Sequence, residues 1–177
     1  MNTEKVLLVI DMQNDFVTGA LANEDAQKII GGIRAKIAQY KSEDYPVFFT
    51  RDTHGENYLD TQEGRLLPVS HCVKDTEGWQ VIEELAADAC EESTLDKKSF
   101  GCLDLPAWIS EKTGGVPSEI ELCGVCTDIC VISNALILKA AYPETVVTVD
   151  GSCCAGVTPE SHETALSAMR ACQVLVK

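Results

Sequence analysis

The stretch Glu121-Leu-Cys-Gly-Val-Cys-Thr-Asp-Ile-Cys130-Val carries the chain's best candidate for a nucleophile. A short apolar strand, Ile120 to Cys123, runs into Gly124, and a helix is expected to open at Thr127-Asp128. Cys130 then falls in the first turn of that helix, just beyond the carboxyl end of a buried strand. Helix N-termini present unpaired backbone N–H groups and partial positive charge. Both favour a thiolate, which is the reactive form of cysteine. The same amides suit the oxyanion that forms when sulfur attacks a carbonyl.

Cys130 competes with eight other cysteines: Cys72, Cys90, Cys102, Cys123, Cys126, Cys153, Cys154 and Cys172. Most cysteines are small buried hydrophobes, and Cys123, Cys154 and Cys172 are expected to be so. Cys123-Gly-Val-Cys126 is a single Cys-x-x-Cys, half of what a zinc ribbon needs. With Cys123 buried in its strand, it is also a weak redox pair. An odd thiol count without a signal peptide points to a reducing cytoplasm rather than a disulfide framework.

The elements that must position Cys130 alternate along the chain. Lys5-Val-Leu-Leu-Val-Ile-Asp11 is a continuous apolar run ending in a carboxylate, as in strands buried on both faces. A helix is expected from about Asn23 to Tyr40, and a second strand at Pro46-Val-Phe-Phe-Thr50. A polar loop from Asp52 to Asp75 follows, then a helix around Trp79 to Ala87. Glu92 to Lys97 reads as a third strand and Leu105 to Lys112 as a helix. After the fourth strand come a helix from Asp128 to Ala141 and a fifth strand, Thr145 to Asp150. Thr158-Pro159 caps the last helix, and Cys172 to Val176 closes the chain as a sixth strand. This alternation predicts a single α/β domain over residues 1–177: a Rossmann-like, doubly wound parallel sheet of six strands, helices on both faces.

Sites in such sheets lie beyond the carboxyl ends of the strands. Asp11 ends strand one, Lys97 ends strand three and Cys130 follows strand four. With strand one beside strand four, the three converge. Lys98 competes with Lys97, but strand alternation sends the two to opposite faces.

Composition narrows the partners. The 177 residues suffice for one self-supporting core. No apolar run approaches the ~20 residues of a membrane span. A net charge of −14 opposes binding to nucleic acid or anionic membrane, both of which need basic patches.

Val9-Ile10-Asp11-Met-Gln-Asn-Asp15-Phe16, Lys97-x-x-Phe100-Gly101 and Gly124-Val-Cys-Thr127-Asp128-Ile-Cys130-Val131 together resemble the signatures of the isochorismatase-like cysteine hydrolases. With Thr158-Pro-Glu-Ser-His162 the resemblance spans the chain. It implies a homo-oligomeric enzyme that hydrolyses C–N bonds of small amides. By the resemblance Asp11 takes the thiol proton, Cys130 attacks the carbonyl and Lys97 holds both in place. A carboxylate serving first as base and then as acid to departing ammonia fits that assignment. The resemblance also implies a cis peptide at Val125-Cys126, aiming the Cys126 and Cys130 amides at the substrate oxygen. Phe16 and Phe100 are candidates to line the pocket; His162 reads as structural.

Two of the three histidines fall in the loop after strand two. Asp52, His54, Glu63 and His71 offer oxygen and nitrogen ligands to a divalent metal, zinc foremost, with manganese or iron as alternatives. Asp52-x-His54 and Leu67-Pro68-Val-Ser-His71-Cys72 resemble the metal segments of the family's nicotinamidases. By that resemblance the ion orients a pyridine nitrogen. The departure is Leu67, where nicotinamidases carry a tryptophan against the pyridine ring, and a second residue between Pro68 and His71. The metal segments keep nicotinamide as the leading substrate against that departure, with a ureido or carbamoyl compound second and isochorismate third. A non-catalytic thiol-redox protein is the alternative from another class, but leaves Asp11 and Lys97 without a role.

Overall fold

A computed structural model describes residues 4–177. Six strands, β1 (Lys5–Ile10), β2 (Val47–Asp52), β3 (Thr94–Lys97), β4 (Glu119–Val125), β5 (Val146–Ala155) and β6 (Leu175–Val176), form one sheet in the order β3-β2-β1-β4-β5-β6. All neighbouring strands pair in parallel. Val6 to Ile10 of β1 are fully buried at its centre, as the uninterrupted apolar run requires.

The helices are α1 (Asn14–Val17), α2 (Glu24–Ser42), α3 (Gln62–Leu66), α4 (Glu83–Ala86), α5 (Leu105–Thr113), α6 (Ile132–Ala141) and α7 (Pro159–Ala171). Asn23 caps α2 by accepting from the Asp25 and Ala26 amides, and Ile29, Ile33 and Ile37 turn inward. Thr158 and Ser161 form a capping box at α7, with Pro159 in the first turn. The chain leaves β1 in one direction for β2 and in the other after β4. Right-handed crossovers therefore place α2 on one face and α6 and α7 on the other. The reversal falls between β1 and β4, which is where a doubly wound sheet opens a crevice.

The elements depart from expectation in four places. The helix expected from Trp79 to Ala87 shrinks to the single turn of α4. Val81 instead bridges Gln13, and Ile82 donates its N–H to Met12 O at 3.0 Å, so this segment is held extended. The polar loop after β2 contains α3 and a 3-10 turn, Tyr58–Asp60. Strand β5 runs five residues past its expected end at Asp150. β6 covers two residues only, since α7 extends to Ala171 and Cys172 is its exposed C-cap rather than a buried strand residue. Cys123 and Cys154 are buried as expected, and all nine thiols are free.

Candidate active site

The strand order brings Asp11, Lys97 and Cys130 together at the carboxyl end of the sheet. Lys97 Nζ lies 2.7 Å from Asp11 Oδ2 and donates to Cys130 Sγ at 3.5 Å. Lys97 is 1% exposed, whereas Lys98 points to solvent, as strand alternation requires. Asp11 Oδ1 accepts from Thr50 Oγ1 at 2.7 Å. Its Oδ2 meets the Lys97 ammonium at 2.7 Å. The Cys130 thiol also lies within hydrogen-bonding reach of the Asp11 carboxylate, which places that group to receive its proton.

Cys130 stands in a wide π turn, Thr127–Val131, that precedes α6. Gly124, at φ +113, ends the regular part of β4; a Cβ there would lie 2.1 Å from Ile10 O, so only glycine fits. The next peptide, Val125-Cys126, is cis. Ile129 and Val131 both donate their N–H to Cys126 O, at 3.1 and 3.0 Å, which closes the turn. Cys126 and Cys130 both line the cavity above it.

Burial dominates the electrostatics. It pushes the Cys130 thiol well above its ordinary pKa; the Asp11 charge adds to this and Lys97 opposes it. The pull of the helix terminus toward a thiolate, which the sequence offers, is thus opposed by the depth of burial. Burial likewise raises the Asp11 carboxyl, against the pull of Lys97. Burial disfavours charge on Lys97 too, yet Asp11, Cys130 and Asp52 outweigh it and keep the ammonium. The site can hold one mobile proton between sulfur and carboxylate beside a fixed cation.

Asp52, His54, Glu63 and His71 form a second cluster whose nearest donor atoms all lie within 4.8 Å of one another. His54 Nε2 is 3.0 Å from Asp52 Oδ2 and 3.6 Å from Glu63 Oε1. His71 Nε2 is 3.8 and 4.0 Å from the same two oxygens. Ligands at 2.0–2.2 Å from a zinc ion stand about 3–4 Å apart, so the set fits. The tautomer of His71 fits as well. Its Nδ1 donates to Val69 O at 2.8 Å, so in the neutral ring the Nε2 lone pair faces two carboxylates. An acceptor among acceptors calls for a cation.

Between the two clusters opens a cavity of about 600 Å³, reached by Asp52, Glu63 and His71 on one side and Cys126 and Cys130 on the other. Phe16 and Phe100 line it, as expected, joined by Leu21, Leu67, Ile129 and Val157. Phe16 also packs on His71 with ring centroids 5.5 Å apart. The charged side chains on its wall are all acidic: Glu24, Asp52 and Glu63. His162 stays outside, bound to Thr127 Oγ1 at 2.8 Å beneath the nucleophile turn.

Some contributors gave little sign of themselves in the sequence. Asn134, fully buried, accepts from Cys102 N–H and donates to Phe100 O and Cys130 O at 2.9, 3.0 and 2.8 Å. It ties the Phe100 loop to the nucleophile turn. A lone amide in the apolar run Ile132 to Leu138 was its one visible signal. Thr50, the polar end of an apolar strand, gave a similar hint.

A buried cysteine, carboxylate and lysine beside a two-histidine, two-carboxylate cluster, all at the switch point of a doubly wound sheet, define a class of α/β enzymes. The Isochorismatase domain model matches residues 5–176, and the chain belongs to that family. The nicotinamidase of Saccharomyces cerevisiae is 25% identical over 82% of this chain and 86% of its own length. The pyrazinamidase of Pyrococcus horikoshii in complex with zinc superposes with a TM-score of 0.81 at 29% identity, covering 98% of both chains. The nicotinamidase/pyrazinamidase of Bacillus subtilis superposes with a TM-score of 0.83 at 27% identity, over 98% of this chain and 99% of its own.

Proposed function

We propose that the protein is a metal-assisted cysteine amidohydrolase that converts nicotinamide to nicotinate and ammonia. The observation that carries this reading is the pairing of the Asp11–Lys97–Cys130 cluster with the Asp52–His54–Glu63–His71 cluster across one cavity. Likeness to the nicotinamidases and to a zinc-bound pyrazinamidase supports it.

In this reading Asp11 Oδ2 takes the Cys130 proton as sulfur attacks the amide carbonyl carbon. The backbone N–H groups of Cys126 and Cys130 hold the oxyanion. Asp11 then passes the proton to the departing nitrogen; the C–N bond breaks, ammonia leaves and a thioester remains. Water attacks the thioester while Asp11 accepts its proton. The C–S bond breaks and the proton returns to sulfur. Lys97 stays an ammonium throughout, so Asp11 and Cys130 exchange their proton beside a constant positive charge. Asp52, His54, Glu63 and His71 would hold a divalent ion, zinc foremost. When bound, the ion supplies a Lewis-acid contact for the pyridine nitrogen, fixing the amide over Cys130.

Phe16 and Phe100 on the cavity wall suit a flat heteroaromatic amide. The same reading places the enzyme in the cytoplasm, where nine free thiols persist, and in a homo-oligomer that covers exposed Leu59, Leu66 and Leu103. Among the described residues no helix is long and apolar enough to cross a membrane.

Ammonia release from nicotinamide tests the reading, with wild type and Cys130→Ala compared before and after chelation. Turnover lost in both supports it. Turnover of another amide, indifferent to chelator, overturns the nicotinamidase assignment and keeps the amidase.

A further inference from the structure

The segment from Asp11 to Asp15 carries the proposed base at one end, yet its other polar side chains reach in the opposite direction. Gln13 is completely buried and spends its whole amide on the main chain of the metal loop. Its Oε1 accepts the Asp52 N–H at 2.7 Å, and its Nε2 donates to Asp52 O at 2.9 Å and to Trp79 O at 2.8 Å. Both backbone groups of one ligand are therefore gripped by a single side chain. Asp15 does the same for the other side of the cluster. Its Oδ2 accepts the Cys72 N–H at 2.7 Å, and its Oδ1 accepts the Ala20 N–H at 3.1 Å.

Cys72 follows His71 directly and has φ +44, a left-handed backbone that a cysteine seldom adopts unaided. Its carbonyl in turn accepts the His54 N–H at 2.9 Å. The grip is close: a Cβ on Gly78 would lie 2.1 Å from Asp15 Oδ2, so a larger residue there would push the carboxylate aside. Asp52 is thus tied directly to Gln13, while His71, through its neighbour Cys72, and His54, through the Cys72 carbonyl, are tied to Asp15.

We infer that Gln13 and Asp15 are positioning residues for the ion, fixing Asp52 and His71 so that their donor atoms converge before metal arrives. The inference rests on the metal-assisted reading above. Outer groups that orient ligands change metal affinity by about 10–100-fold when lost. Gln13→Met keeps the side-chain volume and removes its hydrogen bonds. Asp15→Ala removes both acceptors, and Asp15→Asn retains one.

The test is a titration of zinc against a chromophoric chelator for wild type and each variant, with cobalt absorption spectra as a report on ligand geometry. Thermal unfolding of the chelated proteins is followed in parallel. The expected result is a 10–100-fold weaker zinc affinity in Gln13→Met and Asp15→Ala, a smaller loss in Asp15→Asn, and an altered cobalt spectrum. Excess zinc should restore much of the turnover of Gln13→Met. Should Asp15→Ala fail to fold, Asp15→Asn and Gln13→Met decide. Wild-type affinity and spectrum in variants that fold would overturn the inference and leave the metal reading standing. A wild-type protein that binds neither ion would bring down both.

Discussion

Lys97 and Asp52 are joined across the two clusters: Lys97 Nζ donates to Asp52 Oδ1 at 3.2 Å, while Asp52 Oδ2 lies 3.0 Å from His54 Nε2. One carboxylate therefore belongs to both clusters. Its negative charge also helps to raise the Cys130 thiol, after burial and Asp11. An ion on Oδ2 withdraws part of that charge. Metal loading should then lower the thiol pKa and speed its alkylation, because the thiolate is the reactive form. The Cys130 peptide, followed by mass spectrometry during iodoacetamide treatment, should modify several-fold faster in the zinc-loaded protein than in the chelated one. Equal rates would show that the two clusters are not electrically linked.

Removing the base separates chemistry from folding. Asp11→Asn should lose about 10²–10⁴-fold in turnover, the usual worth of a positioned proton acceptor, while the variant still binds nicotinamide. Because burial raises the Asp11 carboxyl, the acid limb of kcat/KM should lie above the ordinary aspartate pKa of about 3.9. The sign follows from the role: the carboxylate form accepts the proton, so activity is present above that pKa and falls tenfold per unit below it. An acid limb at pH 4 or lower would contradict the assignment.

Lys97 holds two buried carboxylates apart electrically as well as in space. Lys97→Met leaves the buried Asp11 carboxylate without its counter-charge beside Asp52, although Thr50 still hydrogen-bonds to Asp11 and His54 to Asp52. Breaking a buried ion pair from one side costs about 3–5 kcal/mol. The variant should therefore unfold earlier in urea by that amount and lose turnover. Combining it with Asp11→Asn should recover part of the stability but none of the activity. A double variant no more stable than Lys97→Met would refute the charge explanation.

The site was legible in sequence where one residue type was forced by chemistry and its place by strand ends. Asp11 and Cys130 follow apolar runs and Lys97 ends a short, largely polar strand, and a parallel sheet brings such ends together. The Asp52–His54–Glu63–His71 cluster was legible because histidines are scarce and two of them stand in one loop. The supports were not. Gln13, Asp15 and Asn134 act by hydrogen bonds to main chain that is distant in sequence: 39 residues from Gln13 to Asp52, 57 from Asp15 to Cys72 and 32 from Asn134 to Cys102. No local pattern encodes such a partner. The missing helix at Trp79 has the same origin. Its apolar spacing suits a helix, but pairing with Met12 and Gln13 holds the chain extended. The helix terminus beside Cys130 is visible in sequence, whereas the depth of burial that opposes its effect on the thiol is not.

Away from the site, Glu121 gives a prediction about acid stability. It is buried in β4, where Lys36 donates to it at 2.8 Å, Tyr40 at 2.6 Å and Lys177 at 3.3 Å. Lys36 also pairs with Asp150 at 2.7 Å. Burial alone would raise both carboxyls, but Lys36 and the hydrogen bonds from Tyr40 and Ser152 hold them below their ordinary values. A depressed folded-state pKa means stability that is fully present above the unfolded value of about 4 and is lost as pH falls through the folded one. The melting temperature should therefore contain no contribution from this pair to any change between pH 7 and 5, and should drop below pH 4. Glu121→Gln should cost on the order of 1–3 kcal/mol at neutral pH, since Lys36 and Tyr40 lose a charged acceptor. It should also flatten the acid decline. Melting curves of the two proteins from pH 7 to 3 measure both effects, and parallel curves would show that Glu121 carries none of the acid sensitivity.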